Sequence, residues 1–194
     1  AILNNIGYSK AVEEMLNIDI TARAKMIRII IGELSRIIDH LVCNAANMVD
    51  LGGLTNFWYL FAPRDMAYDL LSKLTGARLT NTYTRIGGLE FDLYKGFDED
   101  LANVLKETEI AIDDALSLIA HNKIFLDRTQ DVGVIKADFA LQHGITGPNL
   151  RAAGIAHDLR KDKPYYGYEN FDFDIVIGSH GDVYDRMMCR FEEM

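Results

Sequence analysis

Apolar residues recur at three- and four-residue intervals early in the chain: Ile27, Ile30, Ile31, Leu34, Ile37, Ile38, Leu41, Ala45 and Met48 fall on one stripe, the spacing of a single helix face. The pattern predicts a long helix over residues 21–50, with Thr21 as its N-cap and Gly52 as its stop. Arg28, Glu33, Arg36 and Asp39 flank the stripe and read as its polar border, facing solvent or a neighbour. Pro63 suits a first helical position, and Met66, Leu70, Leu71 and Leu74 predict a short helix ending at Gly76. A second long helix, over residues 98–125, follows from Leu101, Val104, Leu105, Ile112, Ala115, Leu116 and Ile119. Asp98, Glu99 and Asp100 place acid where a helix N-terminus favours it.

The remaining elements are short. Residues 81–97 alternate β-formers (Thr82, Tyr83, Thr84, Ile86) with Gly87, Gly88 and Gly96, the pattern of a small hairpin or an ordered loop. A helix over 136–143 ends at Gly144, residues 171–177 alternate like a short strand, and 178–194 read as a loop leading into a helix. The fold class is therefore mainly α, a helical bundle core of two long antiparallel helices with a short β hairpin or irregular segment. Between His40 and Arg64 the only formal charge is Asp50. Asn44, Asn47, Gly52, Gly53 and Asn56 interrupt that run, so no transmembrane helix is predicted. The aromatic cluster Phe57, Trp58, Tyr59 and Phe61 reads as core.

Composition narrows the function classes. The 194 residues are 49% hydrophobic and 25% charged, a globular balance that permits one ordinary domain. A net charge of -9 argues against nucleic acid as a partner, since a basic stripe would be the expected footprint. Cys43 and Cys189 lie far apart, without the pairing a zinc ribbon or a cysteine-ligated iron–sulfur cluster needs, and read as reduced, packed thiols. His40, His121, His143, His157 and His180 show no metal-ligand spacing, so no metal is expected. No G-x-G-x-x-G, P-loop or G-x-S-x-G occurs, so NADH, ATP and ester substrates have no recognisable site. The first residues lack the features of a signal peptide, and both ends read like the interior of a longer polypeptide.

Two places carry candidate chemistry. Asp50 is a lone carboxylate in an apolar, glycine-flanked context, where a raised pKa and proton transfer are expected unless a partner stabilises the charge; the structural alternative is a helix-end residue bonded to nearby amides. Residues 147–194 collect Arg151, Asp158, Arg160, Asp182, Asp185, Arg186 and Arg190 among glycine-marked turns, beside Tyr165, Tyr166, Tyr168 and Tyr184. Arginine forks pair well with carboxylates only where both are held still, and on chemistry alone the segment reads as a structural ion-pair network.

That segment also carries a resemblance. R-x-x-G-x-x-x-D-L-R (from Arg151), P-Y-x-x-Y, F-D-F-D and G-D-x-Y-D-R-x-x-x-R-x-E-E-M are similar to the quinone-site 49 kDa subunit family of respiratory complex I. So are Y-S-K-A-V-E-E-M-L (Tyr8 to Leu16), R-A-K-M-I-R (Arg23 to Arg28), G-E-L-S-R-I-I-D-H (Gly32 to His40), D-L-G-G-L-T (Asp50 to Thr55), T-G-A-R-L-T-N-T-Y-T-R-I-G-G (Thr75 to Gly88) and I-F-L-D-R-T-Q-D-V-G-V-I (Ile124 to Ile135). The resemblance covers essentially the whole chain and implies one central fragment, residues 1–194, of that large hydrophilic polypeptide, with a fold related to nickel–iron hydrogenase large subunits.

The resemblance further implies electron transfer from the terminal iron–sulfur cluster of a neighbouring subunit to a membrane quinone, coupled to proton translocation. No cofactor would be bound by this chain alone: quinone would sit at a subunit interface, and NADH elsewhere in the complex. Partners would be the cluster-bearing subunit and membrane-arm subunits, at the cytoplasmic face of the inner membrane. Asp50 matches the aspartate that supports a quinone-site histidine lying outside this sequence. Arg78, Thr80 and Arg85 would lie near the cluster; Thr80 stands where many relatives carry a histidine, and threonine cannot titrate near neutral pH. The rival expectations are a component of a membrane-bound hydrogenase or ferredoxin-dependent quinone reductase, and a scaffold without catalytic chemistry.

Overall fold

The computed structural model describes residues 2–194. Helix α1 (Ile2–Leu16) leads through a turn at Asn17 into α2 (Ala22–Asp50), the longest element. Thr21 caps α2 by accepting the Ala24 N–H at 3.2 Å. Gly52, at φ 92°, turns the chain in a backbone region a side chain would oppose. Helix α3 (Leu54–Thr75) returns antiparallel to α2 and ends at Gly76 in the left-handed conformation. A minimal hairpin, β1 (Thr84–Arg85) paired antiparallel with β2 (Gly88–Leu89), precedes α4 (Phe97–Ile119). The described residues are mainly α-helical, with this two-stranded sheet.

Short elements close the molecule: α5 (Lys123–Thr129), α6 (Ala137–Gln142), α7 (Pro148–Ala152), α8 (Leu159–Asp162), a 3₁₀ turn (Tyr168–Asn170) and α9 (Val183–Glu193). Two apolar clusters hold the bundle. One joins Ile27, Ile31 and Leu34 of α2 to Leu70, Leu71 and Leu74 of α3, Phe97 and Val104 of α4, and Ile2 and Ile6 of α1. The other joins Leu41, Ala45 and Met48 of α2 to Leu60, Ala115, Ile119, Phe125 and, from α9, Met187 and Phe191. Asn44 Nδ2 donates to the Met187 carbonyl and His40 meets Glu193, so α9 runs antiparallel to α2.

Several expectations are corrected. Helix α3 begins at Leu54, and Pro63 lies buried inside it. Packing against α2 and α4 overrides a local penalty of about 3 kcal/mol for an interior proline. The single helix expected over 98–125 is broken at 120–122, where Asn122 Oδ1 accepts the N–H groups of Ile124 and Phe125 and starts a new helix. Residues 171–177 have no strand partner and stay irregular. Trp58 is 66% exposed and Tyr59 is also exposed; only Phe57 and Phe61, stacked at 3.9 Å, turn partly inward. No described helix is long and apolar enough to cross a membrane.

Candidate functional site

Three regions hold the candidate residues. The first is the α2–α3 tip. Asp50 is the last residue of α2 and is exposed, with no ion pair among the described residues. The apolar surroundings expected from its sequence neighbours are therefore not supplied by the described residues. The turn beneath it is stiff: Gly53 N–H donates to the Met48 carbonyl at 2.7 Å, and Arg128 donates to the Leu51 carbonyl at 2.7 Å. Asp50 thus sits on an ordered platform flanked by exposed Val49 and Leu54.

The second region is the hairpin and the stretch before it. Arg78, Thr80 and Arg85 are all exposed. Arg78 bridges Asp65 and Asp69 of α3, and Arg85 pairs with Glu90 at 2.9 Å. These are surface pairs, individually weak. Behind the hairpin lies Arg28, which sequence periodicity placed on a polar border facing solvent or a neighbour and the structure buries at 1% exposure. Its guanidinium grips Glu13 at 2.7 and 2.8 Å and donates to Tyr166 Oη at 2.6 Å. Burial alone would raise the Glu13 pKa, but hydrogen bonds from Arg28 and the Gly87 N–H outweigh it and hold the carboxyl below its usual value. Two buried polar atoms nearby, Asn81 Nδ2 and Thr84 Oγ1, make no hydrogen bond within the described residues.

The third region is a charged network between α2 and the C-terminal segment. Arg160 forks onto Asp158, with Nη2 to Oδ2 at 2.7 Å, and donates from Nη1 to Glu33 Oε2 at 2.9 Å. Glu33 also accepts from Tyr168 Oη and Arg36. Arg151 is buried; it lies 3.8 Å from Asp158 and donates from Nε to Glu193 Oε1 at 2.8 Å. Glu193 Oε2 meets His40 Nε2 at 2.9 Å. The chain of contacts Arg36–Glu33–Arg160–Asp158–Arg151–Glu193–His40 links α2, α7, α8 and α9. Burial would raise the Asp158 and Glu193 carboxyls; Arg160 outweighs it at Asp158, and His40 with Arg151 outweighs it at Glu193, so both lie below the usual range.

Asp182, Asp185 and Arg186 fall in a separate cluster around the start of α9. Asp182 Oδ1 accepts the Asp185 N–H and Oδ2 accepts the Asp131 N–H. Asp185 Oδ2 accepts from the amides of Ser179, His180 and Gly181, which override the burial that would raise its pKa. Arg186 donates to the carbonyls of Gly181 and Gly133. Sequence reasoning missed Glu13, His40, Glu193 and the nodal role of Glu33. The available signal was that each acid lies within a motif of the family resemblance, since spacing reveals nothing about partners 15 to 153 residues away.

A cleft of about 560 Å³ adjoins the network, floored by Ile29, Leu34, Ile37 and Leu101 and edged by Phe171, Phe173, Asp172, Asp174 and Glu192. No group of three His, Cys, Asp or Glu among the described residues is arranged to hold a metal. Cys189 is buried, which pushes its thiol up to about 11.

Comparison with known sequences agrees along the chain. Residues 50–194 match the family described as respiratory-chain NADH dehydrogenase, 49 Kd subunit. The C/D subunit of NADH-quinone oxidoreductase from Bdellovibrio bacteriovorus is 47% identical over 194 residues, 100% of this chain and 35% of that relative. The D subunit of the same enzyme from Methylacidiphilum infernorum is 48% identical over 193 residues, 100% of this chain and 46% of the relative. Its counterpart from Leptospira biflexa is 47% identical over 192 residues, 99% and 47% respectively. The chain spans less than half the length of these relatives. A family match over residues 50–194 and near-half identity from end to end lead to one conclusion: the chain belongs to the family of the 49 kDa subunit of respiratory-chain NADH dehydrogenase.

Proposed function

We propose that this chain contributes part of the quinone site in an NADH-quinone oxidoreductase, where electrons from the terminal iron–sulfur cluster of a neighbouring subunit reach a membrane quinone and drive proton translocation. The observation that carries the reading is identity of 47–48% over the whole chain with relatives named as the D or C/D subunits of that enzyme. Reducing a quinone to a quinol takes two electrons and two protons. The electrons arrive from the partner's cluster. The chain's own part concerns protons and charge.

Asp50 is the residue we assign to proton handling. It stands on a stiff turn, exposed and unpaired among the described residues, so a titratable group from an adjoining segment or subunit can reach it. Arg78, paired with Asp65 and Asp69, and Arg85, paired with Glu90, place guanidinium groups in compensated ion pairs on the surface that would face the cluster-bearing subunit, and Thr80 supplies a hydroxyl that does not titrate there. The cluster potential would then depend less on pH, and lie lower, than in relatives with histidine at this position, and the lower potential suits a low-potential quinone. Membrane-arm subunits would lie nearby, with the chain peripheral on the cytoplasmic face and NADH bound elsewhere in the assembly.

The decisive variant is Asp50→Asn in the assembled complex, which keeps shape and removes the titrating proton. Quinone reduction should fall by about a hundredfold or more, the usual scale of a lost acid–base group, while NADH oxidation by an artificial acceptor is unchanged. Full quinone reduction in that variant would refute the assignment and favour a scaffold.

A further inference from the structure

The hairpin that carries Arg85 is too small to define its own shape. Each strand has two residues, well below what stands alone in water. Its backbone is held instead from below by one buried ion pair. Arg28 Nη2 donates to the carbonyls of Arg85 and Gly88, both at 2.8 Å, and Glu13 Oε1 accepts the Gly87 N–H at 2.8 Å. The Arg28 and Glu13 side chains are 0% and 5% exposed, and they come from α2 and α1, 57 and 74 residues away from the hairpin atoms they bind.

A buried ion pair is weak grounds for stability, because desolvation offsets most of the Coulomb gain; its better-attested use is to fix one arrangement among several. Here the arrangement fixed is that of the main chain of a turn whose Arg85 and Ile86 side chains are exposed. Residues 78–91 present Arg78, Leu79, Thr80, Arg85, Ile86 and Phe91 to the exterior. The fork geometry matters: one guanidinium reaches a carboxylate, two carbonyls and the Tyr166 hydroxyl together, which an ammonium cannot do. Tyr166 itself sits at φ 56°, a conformation costly for a bulky residue, so the same hub also holds the segment around Tyr166 in place.

We propose that Glu13 and Arg28 are positioning residues for electron transfer: they set the hairpin surface against the cluster-bearing subunit and so set the surroundings of its terminal cluster. The inference rests on the proposed function above, because that reading makes residues 78–85 cluster-proximal. Neither residue touches cluster or quinone; both act through the hairpin main chain.

The test uses the assembled complex with four single variants. Thr80→His examines the parent reading alone: it should make the cluster potential more dependent on pH, and an unchanged slope would remove the hairpin from the cluster whatever the other variants do. Arg28→Lys keeps the charge and loses the fork. It should alter the electron paramagnetic resonance spectrum of the terminal cluster and lower kcat for quinone by about ten- to hundredfold, the scale of an ångström-sized misplacement, with KM and ferricyanide reduction little changed. Glu13→Gln keeps an acceptor for Gly87 and should change both readouts less. Arg23→Ala removes an exposed pair with Asp92 and should change neither. A wild-type spectrum and kcat in assembled Arg28→Lys complex would overturn the proposal. So would failure of both Arg28→Lys and Glu13→Gln to assemble, which would leave the pair as a fold determinant only.

Discussion

Glu193 is a carboxylate shut away from water whose charge is kept by two partners on opposite oxygens, Arg151 on Oε1 and His40 on Oε2. Burial works against ionisation, and the hydrogen bond from His40 with the charge of Arg151 outweighs it, so its folded pKa lies below the ordinary 4.5. A depressed carboxyl contributes stability that is present above the unfolded value and lost as pH falls through the folded one. Glu193→Gln should therefore destabilise the protein at pH 7 by about 1.5–3 kcal/mol, the scale of a lost charged hydrogen bond, because Arg151 keeps only Asp158, at 3.8 Å, as a carboxylate partner. The gap to wild type should shrink as pH falls below 4.5. Denaturant midpoints for both proteins, taken from neutral pH down to well below 4.5, read this out; a gap that stays constant through that acid range would show that the carboxylate charge is not what holds α9 to α2.

Among elements, α2 was legible from sequence because its stripe is uninterrupted and its cap, Thr21, acts locally. Helix α4 was only half legible: its acidic start and apolar face were clear, but the stop was hidden by Asn122, whose side chain competes for backbone amides and opens α5. The early start of α3 and the irregular course of 171–177 depend on packing partners that no local pattern names. The same reason hid much of the candidate site. Arg151, Asp158 and Arg160 were visible as charges held among turns, whereas Glu33 and Glu193 joined them only through contacts 127 and 42 residues long, and the buried Arg28 looked like an ordinary border charge. The Asn122 cap offers a direct check. Asn122→Ala should cost about 1 kcal/mol, and Asn122→Gly only a few tenths, as measured by chemical denaturation. Equal costs would mean that the side-chain oxygen is not what separates the two helices.

At the scale of the whole molecule, the surface is less finished than the core. Trp58 and Tyr59 of α3 and Ile110 of α4 are exposed, and with Ala62, Pro63 and Met66 they line a groove of about 330 Å³ bordered by Glu107 and Asp114. The cleft beside Glu33 leaves Leu105 and Phe171 uncovered as well. Apolar surface rimmed by charge is one mark of a face that meets a partner, which fits a chain whose relatives are named as subunits. In isolation such faces find one another. The chain alone should therefore associate with itself as concentration rises and bind an apolar fluorescent dye, both to a degree that falls in Trp58→Gln. Because Trp58 is mostly exposed, that substitution should shift folding stability by no more than about 0.5 kcal/mol. Sedimentation and dye titration on the wild type and variant separate the possibilities: association unchanged in Trp58→Gln would mean that this groove is not the face through which copies meet, and a large loss of stability would mean that Trp58 belongs to the core after all.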